Sequence, residues 1–161
     1  MRGQDSHSNQ SSVHFSSATD EWPTPTYLYK ALNAEFGFTL DPAATAANAK
    51  CAKYYTRQED GLVQDWSGHV VFLNPPYGRE VGLWVKKAHD TAVGGTLVVL
   101  LLPARTDTQW WHRYVSQGEI RFLKGRIRFE GGAHCAPFPS AIVIFRHRPL
   151  KIVHIDPPGR K

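Results

Sequence analysis

Apolar positions in this chain alternate between helical spacing and short unbroken runs. Leu28, Ala31, Leu32 and Phe36 recur at the spacing of one helix face, with Thr24 placed as N-cap, Pro25 at the first helical position and Gly37 as the stop. Phe38 to Leu40 reads as a short strand, and Ala44 to about Ala52 as a helix or compact loop. Val70 to Leu73 is the next strand. From Gly82 to Val93 the spacing predicts a helix with Val85, Ala88 and Ala92 inward and Lys86, Lys87 and Asp90 outward, ended by Gly94-Gly95. Thr96 to Leu102 is apolar almost throughout, the pattern of a central strand covered on both faces, and Pro103 closes it. Thr108 to Val115 reads as an aromatic-rich helix. Ile120 to Phe129 holds one or two strands around Gly125, and Ala141 to Phe145 forms a last strand after a loop rich in Gly and Pro. Strands alternating with helices predict an open α/β sheet, mostly parallel, with an antiparallel edge pair.

Composition narrows the class. At 161 residues the chain suits one domain with a real core, and 42% hydrophobic with 12% aromatic residues exclude a mostly disordered chain. No apolar stretch approaches the ~20 residues of a membrane span. The Ser/Gln/His-rich start has no apolar signal region, so residues 1–19 read as a flexible polar tail, 20–146 as the folded domain and 147–161 as a basic tail. Two isolated cysteines and eight scattered histidines indicate neither a disulfide framework nor a metal site, and fit a reducing cytoplasm. The net charge of +5 favours an anionic partner. Strand alternation over Arg121 to Phe129 puts Lys124, Arg126 and Arg128 on one face and Leu123, Ile127 and Phe129 on the other. The charged face suits phosphates, or is merely solvated.

The chemistry concentrates at Asn74-Pro75-Pro76-Tyr77. A Pro-Pro pair alone is weak, since Pro157-Pro158 is another and proline often ends a strand. Placement gives the motif weight, because it follows a buried strand and so lies at the carboxyl edge of a sheet, where open α/β folds bind ligands. An exocyclic amine such as adenine N6 has its lone pair delocalised into the ring. Acceptance of its two N–H bonds by the Asn74 side-chain oxygen and the Pro75 carbonyl would stabilise the charge that develops in transfer. Tyr77 is expected to stack on the base. A second polar strand end, Leu40-Asp41-Pro42-Ala43-Ala44, lies upstream; taken alone it is an ordinary turn.

Together the two strand ends resemble the cofactor and catalytic motifs of amino-methyltransferases. The chain resembles the DNA N6-adenine methyltransferases of bacteriophages and prophages from about Asp20 to Phe145. The match includes Asp20-Glu-Trp-Pro-Thr-Pro25, Leu40-Asp-Pro-Ala-Ala44, Asp60-Gly-Leu62, Asn74-Pro-Pro-Tyr77, Leu102-Pro-Ala-Arg105, Lys124-Gly-Arg-Ile-Arg-Phe129 and Pro137-Phe-Pro-Ser140. The resemblance implies a Rossmann-like methyltransferase fold, S-adenosylmethionine as donor, and direct methyl transfer to adenine N6 in DNA without a metal.

Site roles follow by the same resemblance. Trp22, Pro23, Thr24 and Pro25 would lie against the cofactor, with Asp41, Pro42 and Ala43 near its methionine end and Asp60 and Leu62 near its adenine. Asp65 is the alternative to Asp60. Asn74, Pro75, Pro76 and Tyr77 would be catalytic, with Asn74 also facing the cofactor. Lys124, Arg126 and Arg128 would meet DNA, and Phe138 would be a second aromatic for the base or a hydrophobic plug. Two departures stand out: the usual glycine-rich turn is replaced by Asp41 to Asn48, and no target-recognition domain is evident. DNA would then be read by loops and the basic segment, or by a surface completed in a homodimer. Competing readings are an RNA or protein-glutamine methyltransferase and a non-catalytic DNA-binding relative.

Overall fold

A computed structural model describes residues 21–147. The expected tails, apart from His147, and Asp20 lie outside the described residues. Helix α1 (Thr26–Phe36) ends where expected, with Gly37 in the left-handed conformation at φ 68° and its N–H donated to the Asn33 carbonyl. Its start differs from the expectation. Pro25, in an extended conformation, occupies the N-cap position, and Thr24 points elsewhere. The free N-terminal donor is met instead by a carboxylate from far along the chain, Glu130, which accepts from the Thr26 N–H at 2.7 Å.

Six strands form one sheet: β1 (Leu40–Asp41), β2 (Lys53–Tyr54), β3 (Val70–Leu73), β4 (Leu97–Pro103), β5 (Glu119–Phe122) and β6 (Ser140–Phe145). Their order is β2-β1-β3-β4-β6-β5. The first four are mutually parallel, while β6 runs antiparallel to both β4 and β5. This is the open, mostly parallel sheet with an antiparallel pair that the alternation of elements predicted, and it is consistent with the Rossmann-like fold that the resemblance implies. Helix α2 (Val81–Val93) follows β3, and a short α3 (Gln109–Arg113) follows β4.

Because neighbouring residues of a strand face opposite ways, the sheet feeds two cores. Val71, Leu73, Val98, Leu100 and Leu102 pack with Trp66 and with Trp84, Val85 and Ala88 of α2. Phe72, Val99 and Leu101 pack on the other face with Leu32 of α1, Phe38, Tyr77, Ile127 and Phe129.

Residues 44–52 take the compact-loop alternative, followed by the unanticipated β2. Two local expectations are corrected. Ala31 is exposed rather than packed. The ladder over the basic segment ends at Phe122, beyond which single bonds hold the chain, from Leu123 N–H to the Ser140 carbonyl and from Ala136 N–H to the Ile127 carbonyl. Alternation survives without the ladder: Ile127 and Phe129 are buried, and Lys124, Arg126 and Arg128 are exposed. Among the described residues, no helix is long and apolar enough to cross a membrane.

Candidate active site

Strands β1 and β3 are parallel neighbours, with Leu40 opposite Val71, so Asp41 and Asn74 emerge at the same edge of the sheet. They open into a cavity of about 670 Å³. Of the residues singled out in the sequence, Trp22, Pro23, Thr24, Asp41, Pro42, Ala43, Asp60, Leu62, Asn74, Pro75 and Pro76 line it.

The Asn74 side chain has a defined orientation. Its Nδ2 donates to the Trp22 carbonyl at 2.6 Å and to the Thr24 hydroxyl at 2.9 Å. A carbonyl can only accept, so the amide nitrogen must face Trp22 and the oxygen must face the other way. That oxygen, Oδ1, is buried and has no hydrogen-bond partner among the described residues. Buried acceptors are rarely left unpaired, and one beside a cavity is disposed to receive a ligand's N–H.

Asp41 is buried beneath the same cavity. Its carboxylate accepts from the Lys50 N–H at 3.0 Å and, at 3.4 Å, from the Ala43 N–H. These bonds close the turn that replaces a glycine-rich loop. Burial nonetheless pushes the carboxyl up to about 6, against the opposing pull of the two backbone donors and the Lys50 charge.

The following turn is set by contact between backbones. A Cβ on Gly61 would lie 1.9 Å from the Pro42 carbonyl oxygen, so only glycine lets the two segments meet. Asp60 adopts a positive φ of 53° and accepts the Leu62 N–H at 3.1 Å, which fixes the carboxylate at the cavity rim. Asp65 does not line the cavity and instead binds Ser67. Trp84 also lines the cavity, and its buried indole N–H has no partner among the described residues.

Pro25 and Tyr77 are placed otherwise than expected. Pro25 is buried and does not line the cavity. Tyr77 is only 3% exposed; its hydroxyl donates to the Leu101 carbonyl at 3.1 Å, and its ring packs edge-on against Phe129 and Phe138. It is therefore a packing group here, because an apolar ring with a satisfied hydroxyl gains more from the core than from solvent. A base would stack on it only after those rings parted. Phe138 is half-buried against Trp22 and Tyr77, the packing of the plug alternative given for it. Lys124, Arg126 and Arg128 lie outside the cavity.

Sequence reasoning passed over several neighbours. Lys50, Tyr55 and Glu80 line the cavity, and Arg105 donates to the Tyr77 carbonyl at 3.1 Å. Glu80 was findable, since it occupies the N-cap position of the helix that follows the Asn-Pro-Pro-Tyr segment. Lys50 and Tyr55 flank a two-residue strand that leaves almost no apolar signal.

Comparison with known proteins agrees with this geometry. Residues 11–151 match the sequence model described as "DNA N-6-adenine-methyltransferase (Dam)". The chain is 35% identical over 94 residues to a DNA N-6-adenine-methyltransferase of Escherichia phage T1, covering 57% of this chain and 39% of that protein. It is 28% identical over 114 residues to the DNA N-6-adenine-methyltransferase of Haemophilus phage HP1, covering 68% of this chain and 66% of its relative. The alignments thus span less than two thirds of either phage protein. The family match covers most of the chain, including both strand ends that form the cavity, and the chain belongs to the DNA N-6-adenine-methyltransferase (Dam) family.

Proposed function

We propose that this protein is a DNA adenine methyltransferase that moves the methyl group of S-adenosylmethionine directly to N6 of adenine, and that residues 20–146 form its catalytic unit. The observation that carries this reading is the buried, unpartnered Asn74 Oδ1, aimed by two bonds on the opposite side of its amide.

The cavity residues fit the donor. Asp41, Asp60 and Glu80 bring carboxylates to a cavity that would hold a cationic sulfonium and an ammonium group, while Trp84 supplies a free N–H for an acceptor. Gly61 lets the backbone close tightly on Pro42 beneath them. Trp22, Pro23, Thr24, Asp41, Pro42, Ala43, Asp60 and Leu62, the residues read as holding the cofactor, all line the cavity. S-adenosylmethionine supplies an already activated methyl group when bound.

The chain's own groups then polarise the acceptor. Asn74 Oδ1 accepts one N–H of the adenine amine and the Pro75 carbonyl the other, which frees the nitrogen lone pair and stabilises the positive charge it gains. The Trp22 carbonyl and Thr24 hydroxyl hold the acceptor in place beforehand, so little reorganisation is left for the transition state. No covalent intermediate with the protein is required. The exposed Lys124, Arg126 and Arg128 meet DNA phosphates, and a target adenine within a duplex is turned out of the stack to reach the cavity. The site of action is the bacterial cytoplasm, where DNA and cofactor are both present.

The test is incubation of the purified protein with S-adenosylmethionine and unmethylated DNA, followed by nucleoside mass spectrometry. N6-methyldeoxyadenosine is the expected product. Its absence, with methylation appearing in parallel RNA or protein-extract reactions, would redirect the substrate; absence from all three would refute the enzyme.

A further inference from the structure

Glu130 lies outside the cavity, immediately after the basic segment, yet it joins three separate parts of the chain. Its Oε1 accepts from the Thr26 N–H at 2.7 Å and from the Thr26 hydroxyl. Its Oε2 accepts from Lys50 Nζ at 3.1 Å, and its own N–H donates to the Pro23 carbonyl at 3.0 Å. Helix α1 has no side-chain cap of its own and no acidic residue in its first turn, so this distant carboxylate fills the place of a cap.

Two of these contacts, at Pro23 and Thr26, bracket Thr24, and Trp22 directly precedes Pro23. Those are the residues that orient Asn74. We propose that Glu130 is a positioning residue for Asn74: by clasping residues 23–26 it keeps the Trp22 carbonyl and the Thr24 hydroxyl at the Asn74 amide, and so keeps Oδ1 turned to the cavity. The proposal rests on the catalytic reading of Asn74. It also places the orientation of the catalytic amide under the control of the segment that carries Lys124, Arg126 and Arg128, because Glu130 is two residues beyond the last of them.

The Thr26 contacts matter more than the ion pair. The Glu130 side chain is 41% exposed, where an ion pair with Lys50 contributes little, whereas the Thr26 N–H has no other partner within its helix turn. The two roles separate on substitution. Glu130→Gln keeps an acceptor for Thr26 but not the charge toward Lys50. Thr26→Pro removes both Thr26 donors and suits the first helical position and the extended Pro25 before it.

The experiment compares Glu130→Ala, Glu130→Gln and Thr26→Pro in the full chain, each first checked for a folded thermal transition. The expected results are a turnover about 10- to 100-fold lower for Glu130→Ala and Thr26→Pro, with cofactor affinity by calorimetry little changed, and recovery of most turnover in Glu130→Gln. Hydrogen exchange of the Asn74 side-chain amide, read by NMR, is expected to be slow in the wild type and in Glu130→Gln and fast in the other two. This readout needs no activity, so it tests the clasp even if DNA is not the substrate. Unchanged Asn74 exchange in Thr26→Pro, or turnover that falls only in step with thermal stability, would overturn the proposal.

Discussion

The Asn74 side-chain nitrogen donates to the Trp22 carbonyl at 2.6 Å, across 52 residues of sequence, and this one bond decides which way the amide faces. The other end, Oδ1, is left without a partner among the described residues. Asn74→Ala is therefore expected to slow methyl transfer by about 10²–10³, or roughly 3–4 kcal/mol, as loss of a preorganised transition-state partner does. Cofactor affinity should stay within a few-fold. Steady-state kinetics with calorimetry checks both, and near-normal turnover would remove Asn74 from the chemistry.

In the proposed site, Asp41 is expected to make cofactor binding depend on pH. Burial raises its carboxyl to about 6, so the folded protein holds this proton more tightly than the unfolded chain. Stability of the free protein should accordingly fall as pH climbs from about 4 to about 6, then level off. A cationic cofactor favours the ionised form. Affinity for S-adenosylmethionine should thus rise by about tenfold between pH 5 and pH 7, as the ionised fraction of a carboxyl near 6 does, and Asp41→Asn should flatten the profile. Calorimetric titrations across pH would show it.

Asp60 presents a carboxylate at the cavity rim, while Asp65 turns away to Ser67. Asp60→Ala is expected to weaken cofactor binding by about 1–3 kcal/mol, the scale of a charge-assisted hydrogen bond. Asp65→Ala should leave it unchanged. Calorimetry on the pair would detect a reversed assignment.

Tyr77 contributes through burial. Loss of its hydroxyl in Tyr77→Phe should cost about 1–3 kcal/mol of stability by leaving one lone pair of the Leu101 carbonyl without its partner, and Tyr77→Ala about 3–5 kcal/mol by opening the core. Denaturant unfolding measures both. A stability-neutral Tyr77→Ala would contradict the packing seen here.

The exposed Lys124, Arg126 and Arg128 should act on DNA through phosphates. Each single alanine variant is expected to lower the magnitude of the salt slope of log affinity by about 0.9 on duplex DNA, leaving the methylated site unchanged. An unaltered slope would mark a solvated surface; a changed methylation motif would mark base readers.

Much of this arrangement was visible in the sequence, for physical reasons that also explain the gaps. Val70 to Leu73 and Leu97 to Pro103 are buried on both faces, so their apolar runs read directly as central strands. Lys53–Tyr54 earns its place as a strand only by pairing with Leu40–Asp41, and nothing local announces it. Thr24 has the chemistry of an N-cap, but its hydroxyl serves Asn74 while Glu130, 104 residues beyond Thr26, supplies the carboxylate. Tyr77 shows the limit most plainly. A motif reveals which groups are present, whereas its ring is enclosed by Phe129 and Phe138, which come from much later in the chain.

The adjacency of β1 and β3 has a consequence for how such a site tolerates change. Parallel strands lie about 4.8 Å apart whatever connects them, so the sheet acts as a ruler between the end that carries Asp41 and the end that carries Asn74. The connecting chain passes through β2, the Asp60-Gly61 turn and Trp66 before it returns to β3. Surface insertions in that connection, away from Gly61 and Trp66, can lengthen it without altering the reach between the two strand ends. Change at the rim is thereby decoupled from the geometry of transfer.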